Sequence, residues 1–388
     1  MEYGIVSQTS ENRPRYMPGL DGLRGIAILA VFAYHACTPI TPVNGVERFV
    51  FAGTASSWAG VDLFFVLSGF LITGILIDTR RNEKYYLTFF ARRTLRIFPL
   101  YFAVLALIFG VLPWLVPFDT PGLRRINDNQ LWLWTYTTNI GFVWNAKAMF
   151  SSDWLGLNHF WSLAIEEQFY LVWPFVVYHF RGRRLVMVCV AAILSAITLR
   201  CILVALGMRP GAIYFPTPCR IDSLALGALL AIAVRTYGYT RQGIVLSRIV
   251  FVGIGGTAIT WMAICGGLRT TDPVVQTVGY SLIAGIAAAA VYLVSTPEQT
   301  LLKWLLDWQL FRVLGKYSYG IYIFHHLLLV PLERYWPVED IVKSVGTRAV
   351  GVVLYLLLGF CGSLFLAVGS WHFWEKWFLK LKSRFPTG

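Results

Sequence analysis

Charge is scarce in this chain. Charged side chains make up 14% of its 388 residues, against about a quarter in soluble proteins, and acidic residues number 20 against 33 basic. With 57% hydrophobic residues and a mean hydropathy of +0.61, this excludes a soluble globular domain and points to a polytopic membrane protein. The net charge of +13 would suggest nucleic acid in a soluble domain. Here the cations fall between apolar runs, as orientation by positive charge and contact with the anionic lipid of a lipid bilayer require, so nucleic acid is excluded as a partner. Cysteine is also sparse: six residues (Cys37, Cys189, Cys201, Cys219, Cys265, Cys361), with no CxxC pair and no Cys/His ligand spacing. Neither a disulfide framework nor a metal site is expected. There is no G-x-S-x-G, Walker loop or HExxH segment to support soluble chemistry. The opening MEYGIVSQTSENRPRYMPG lacks an apolar h-region, so no removable signal peptide is expected and the first span is its own targeting signal. In the absence of linkers, low-complexity tracts and repeats, the chain reads as one integral membrane domain over 17–376, with an N-terminal tail at 1–16 and a basic tail at 377–388.

The chain does have long apolar runs. Taking about 20 residues per crossing, helices are expected near 19–39, 59–78, 96–117, 160–180, 185–206, 220–235, 248–266, 274–295, 316–332 and 348–372, an all-α membrane fold of about ten spans. A further piece, Leu131–Trp144, is too short and too rich in Trp and Thr for a span and fits a re-entrant or interfacial element. With ten spans and both termini cytoplasmic, about two thirds of the 33 basic residues lie on the inner side; an eleventh span would invert every later loop and lose that bias. The expected location is the plasma membrane, multi-pass. The largest outer segment, about 118–159, holds Asp119, Asp128 and Asp153 and is either a cap over an outward cavity or a plain loop.

The stretch Leu20–Pro39, LDGLRGIAILAVFAYHACTP, organises the rest. It carries Arg24 and His35, and ionisable groups inside a span face protein or water rather than lipid. Eleven residues apart, they share a helix face with a rise of about 16 Å, so one can bind an anion near a membrane surface while the other does proton chemistry deeper in. Snorkelling of Arg24 and simple packing of His35 is the bland alternative. Asp62 in GVDLFFVLSGF, Glu166 in WSLAIEEQFYLVWP, and Arg220 and Asp222 in CRIDSLALG fall near helix starts. Capping, the macrodipole or an arginine partner would suffice to explain these carboxylates. With His325 in GKYSYGIYIFHH they are expected to converge on the outer half of the bundle. His159, His179 and His372 fall near span ends and read as bystanders. On the inner side, FFARRTLRIFPLY places Arg93 and Arg96 on one helical face; guanidinium groups suit phosphate, and beside Arg24 they suit a polyanionic donor.

These blocks, PGLDGLRGIAILAVFAYH with its R-x10-H pair, WAGVDLFFVLSGFLI, ARRTLRIFPLY, WSLAIEEQFYLVWP, RIDSLALGALLA and LGKYSYGIYIFHH, resemble in content and order those of the acyltransferase family 3 membrane proteins, over about residues 17–376. The resemblance implies transfer of an acyl group, often acetyl, from cytoplasmic acyl-CoA to a hydroxyl of a glycan or small-molecule acceptor. Arg24 and His35 match the essential pair, Arg93 and Arg96 the basic motif and Glu166 the family glutamate; His325 matches more loosely because His326 follows it. Some relatives carry a C-terminal SGNH hydrolase-like domain, and the chain stops before one, so a stand-alone enzyme is expected. His35 is then the general base, held by Glu166 or Asp62, with phosphates of the donor at Arg24, Arg93 and Arg96; a covalent acyl-histidine relay is the alternative. A proton-coupled transporter also places His and carboxylates within spans, but no two-half repeat is present. A scaffold role leaves so many buried ionisable groups without a purpose.

Overall fold

The structure, a computed structural model, describes residues 17–115, 120–144, 149–150 and 154–386. The 1–16 tail with Arg13 and Arg15, and Asp119, Lys147 and Asp153 of the large loop, lie outside the described residues. Among the described residues ten long helices overlap the expected runs: α1 Pro18–Cys37, α2 Gly60–Asp78, α3 Tyr85–Ala106, α4 Phe160–His179, α5 Gly182–Ala205, α6 Thr217–Tyr237, α7 Arg241–Cys265, α8 Tyr280–Ser295, α9 Gln309–Tyr335 and α10 Arg348–Ser370; α3 starts well before the expected 96, so Arg93 and Arg96 lie within the helix and do not lead into it. There is no strand among the described residues. Among the described residues eight helical stretches are long and apolar enough, by length and composition, to cross a membrane. The two long helices outside that set, α4 and α9, carry Glu166, Glu167 and Gln168, and Arg312, Lys316 and a histidine pair, which lower their hydropathy.

Contacts fix the helix directions. Gly25 abuts Phe311 and His35 meets His325, so α1 and α9 run parallel. Asp62 and Asp78 of α2 meet Arg220 and Arg235 of α6 in the same order, while Ser68 and Thr73 meet Glu166 and Trp173 of α4. These three helices therefore run together. Close approach depends on missing side chains, as is usual where helices pack without a hydrophobic driving force: a Cβ at Gly315 would clash with the Asp21 carbonyl, and one at Gly227 with that of Val66. Met17 and Lys382 line one cavity, so both described chain ends lie at one end of the bundle. That end also holds Arg24 and Arg96 and is the basic end; His35 and its neighbours lie toward the other.

Leu131–Trp144 folds as two short helices, Gln130–Trp134 and Thr138–Trp144, broken at Tyr136, which has φ 53°. The Tyr136 ring stacks on Phe98 and Tyr101 of α3, and Gln168 of α4 donates to its carbonyl at 3.0 Å. The chain then returns to Arg209, which donates to the Val143 carbonyl. This is the re-entrant course. The helix Gly45–Ala55 was not among the expected elements; Asn44 caps it by accepting from the Glu47 amide at 2.8 Å, and its exposed Val46, Phe49 and Val50 give it the apolar face of an interfacial helix.

An orientation with the basic end in the cytoplasm requires opposite labelling at two exposed positions. A cysteine replacing Asp128 should react with an impermeant thiol reagent from outside, and one replacing Arg183 only after the membrane is opened. Arg183 is the better probe than Gly182, whose φ of +48° strains any side chain. Labelling of Arg183→Cys in intact cells would put the basic end outside.

Candidate active site

Three cavities follow one another along the bundle. The first, of about 900 Å³ at the basic end, is walled by Arg24, Arg96, Arg312, Lys316 and Lys382, with Asp21, Asp307 and Glu375 as its carboxylates. Arg24, Leu71, Arg96 and Tyr319 also line the second, a narrow middle cavity of about 100 Å³ that adds Arg93, Ser68, Glu166 and Tyr170. Val61 and Tyr322 line both this and the third cavity, of about 210 Å³, which holds His35 and His159 among Tyr34, Trp58, Trp161, Tyr214 and Phe215. The uninterrupted helix α1 thus presents Arg24 to the first two cavities and His35 to the third.

The basic end is ordered by its own contacts. Arg24 donates to Asp21 at 2.6 Å, one turn earlier. Arg93 lies over the Phe89 and Tyr170 rings, 5.9 and 5.8 Å from their centroids. Arg92, which shares the basic run, points elsewhere: its Nη1 donates to the Lys382 and Phe385 carbonyls at 3.1 and 2.8 Å and so fixes the C-terminal segment that supplies Lys382 to the cavity wall.

Around His35 stand three further imidazoles. Ring centroids lie 5.0 Å away for His325, 4.6 Å for His326 and 6.3 Å for His159. Position at a span end made His159 read as a bystander; it belongs to the cluster because the turn before α4 folds inward, and its ring is 4.8 Å from that of His325. His179 and His372 do stand apart, each bonded to a carbonyl of its own helix. Among the described residues no group of three or more His, Cys, Asp or Glu side chains is arranged to hold a metal ion.

The hydrogen bonds assign the protons of the central pair. His325 Nδ1 lies 2.8 Å from the Tyr322 carbonyl and 3.2 Å from that of Ile321, so it is the donor and Nε2 is bare in the neutral ring. That Nε2 faces His35 Nδ1 at 3.2 Å, and His35 Nδ1 is also 3.0 Å from the Val31 carbonyl. Two acceptors around one nitrogen require the proton on it. His35 Nε2 therefore keeps a free lone pair.

Neither expected carboxylate holds His35. Glu166 accepts from Ser68 and from Tyr170, both at 3.0 Å, in the middle cavity. Asp62 accepts from Arg220 at 2.7 Å and from Ser223 at 2.7 Å, fully buried. Asp222 pairs with Arg200 at 2.9 Å, also fully buried, and accepts from Ser281. Arg220 lies over the rings of Tyr280 and Tyr214, 4.4 and 4.9 Å from their centroids. These pairs tie α2 to α6 and α6 to α5 and α8. The physical reason is desolvation: a carboxylate in a bundle interior is held by a cation or by several donors, and a neutral imidazole offers less than a guanidinium. Ser68 and Ser162, which line the middle cavity, and Tyr322, 2.6 Å from the Ser162 hydroxyl, were not among the expected site residues. Tyr170, four residues after Glu166, carried a readable helical spacing; the others carried none.

A family model described as an acyltransferase domain matches residues 17–372. Similar proteins include the putative peptidoglycan O-acetyltransferase YrhL of Bacillus subtilis, 31% identical over 93% of this chain and 55% of its own length. The O-acetyltransferase OatA of Staphylococcus aureus is 28% identical over 83% of this chain and 52% of its own. The peptidoglycan O-acetyltransferase OatA of Listeria monocytogenes is 30% identical over 76% and 49%. The chain spans about half the length of these relatives. No solved structure matches.

Because Asp62 and Arg220 are a fully buried pair, Asp62→Ala should lower the protein's stability by about 3–5 kcal/mol, the cost of leaving a buried charge unpaired. Replacing both at once, Asp62→Leu with Arg220→Met, should recover much of that loss. Thermal unfolding in detergent measures both, and a double variant as unstable as Asp62→Ala would show that the pair is not what holds α2 to α6.

Proposed function

The chain belongs to acyltransferase family 3, and from that membership we propose that it is a membrane O-acyltransferase that moves an acyl group, acetyl in the first instance, from acyl-CoA to a carbohydrate hydroxyl. The observation that carries this reading is the run of three cavities from a cationic mouth to His35. A donor with a phosphorylated head and a long thin arm ending in a thioester fits that sequence of shapes. Arg24 and Arg96, with Arg312, Lys316 and Lys382, would take the phosphates; the narrow middle passage would take the arm; the thioester would reach Val61 and Tyr322, beside His35. The names of two relatives specify peptidoglycan, and a peptidoglycan sugar is the acceptor we favour. The aromatic walls of the third cavity suit a sugar face. His159, with both ring nitrogens unpartnered, and the unpartnered Oδ1 of Asn158 suit its hydroxyls.

In this reading His35 Nε2 takes the proton of the acceptor hydroxyl as its oxygen attacks the thioester carbonyl carbon. The C–O bond forms, the C–S bond breaks, and the proton passes from the imidazolium to the departing thiolate. His325 is a positioning residue: by accepting from His35 Nδ1 it keeps the lone pair on Nε2 and stabilises the imidazolium, the work a carboxylate does in a hydrolase triad. Glu166, bonded to Ser68 and Tyr170, holds the wall along which the arm passes.

His35→Ala should reduce acetyl transfer by purified protein at least about 10²–10⁴-fold, the usual worth of a general base, while the protein still folds. Near-wild-type turnover in that variant would remove His35 from the mechanism. Arg96→Ala should weaken use of acetyl-CoA by about 1.5–3 kcal/mol, the worth of a charge-assisted contact, and leave acetyl-pantetheine, which lacks the nucleotide, nearly unaffected. Equal losses for the two donors would mean that Arg96 does not meet the phosphates.

A further inference from the structure

A separate recess of about 540 Å³ opens between the α2–α3 turn and the end of α4, and it shares no lining residue with the three cavities described above. Arg80, Arg81 and Arg181 line it, against Glu83 as its one carboxylate among the described residues. Arg80 donates from Nη2 to the Phe180 carbonyl at 3.3 Å, while its buried Nε has no partner. Burial and the like charge of Arg181 hold the Arg80 guanidinium below its usual pKa range. Two arginines brought into mutual repulsion beside an unpartnered N–H call for an anion.

The rim says which kind. Beside Ile77 and Asn82, the wall is completed by Tyr85, Tyr86 and Tyr178, their rings 4.9–5.4 Å apart. Tyr86 stacks on Phe175 at 4.9 Å. Phe175, Leu171 and Tyr178 lie on one face of α4, and all three are exposed, with Leu87 of α3 nearby in the chain. The recess thus passes from guanidinium through phenol to an apolar helix face, the order of a phospholipid from phosphate through glycerol to acyl chain. We propose that this recess binds an anionic phospholipid, its phosphate at Arg80 and Arg181 and its chains along Leu171 and Phe175. A zwitterionic lipid brings its own cation to the same place and meets three arginines; a free phosphate leaves the apolar face unused.

The test is native mass spectrometry of the delipidated full chain titrated with phosphatidylglycerol, phosphatidylcholine and inorganic phosphate. The wild type should take up phosphatidylglycerol in clear preference to phosphatidylcholine, and millimolar phosphate should not displace it. Arg80→Gln with Arg181→Gln should weaken phosphatidylglycerol binding about 25-fold, on about 5-fold per basic residue at an anionic lipid, and Arg184→Gln, outside the recess, should not. Equal uptake of the two lipids, displacement by phosphate, or undiminished binding in the double variant would each overturn the assignment. The wild-type preference is readable even if the double variant fails to fold.

Discussion

The parallel crossing of α1 on α9 is the contact on which the rest depends. At Gly25 and Gly315 the two helices touch backbone to backbone, an approach that gains its energy from close van der Waals packing when no water is released. Only at that separation do imidazoles from facing helices come within hydrogen-bond reach, as His325 and His35 do at 3.2 Å. The same straight helix carries Arg24 three turns below. The distance from the basic mouth to His35 is therefore a property of α1 itself, about 16 Å by helical rise, and loops do not set it.

A second constraint shapes the surroundings. In a medium where charge is poorly solvated, Arg220 and Arg200 are stable only against Asp62 and Asp222, and each such pair locks two helices together. Helix α2 serves both purposes: Asp62, in its first turn, belongs to the frame, and Ser68, about two turns later, meets Glu166 in the middle cavity. A carboxylate already matched to a buried guanidinium would lose more than it gains by turning to a neutral imidazole. The place beside His35 Nδ1 goes to His325, whose neutral ring needs no counter-charge and whose Nδ1 proton is absorbed by carbonyls of its own helix.

Helix existence was legible in the sequence because apolar length is a local property; each of the ten expected runs meets a helix, though α3 starts well before 96, and Leu131–Trp144 forms two short helices in place of one long one. The Arg24–His35 relation was legible for the same reason, being internal to one helix. What composition and spacing do not encode is which helices are neighbours. Glu166 and Asp62 read alike as carboxylates near helix starts, yet one lines a cavity and the other is sealed in an ion pair. His159 lies at a helix boundary, where nothing in the chain indicates that the turn folds inward against His325. The two histidines of His325–His326 could not be ranked from sequence. Both rings reach His35, but only His325 has the nitrogen geometry that fixes its proton.

The distribution of charge along the route gives it a direction. Arginine and lysine crowd the first cavity and Arg93 reaches the second, whereas the third is walled by aromatic and neutral polar side chains. An anionic head entering at the basic end is held there, since moving it onward would exchange guanidinium partners for aromatic walls in a poorly solvating interior. Only the uncharged part of such a molecule can proceed past Tyr322. In the proposed reaction this keeps the nucleotide on one side while the thioester advances. It also leaves the histidine cavity free for an acceptor from the other side, so the two substrates meet at His35 without either having to cross the bundle.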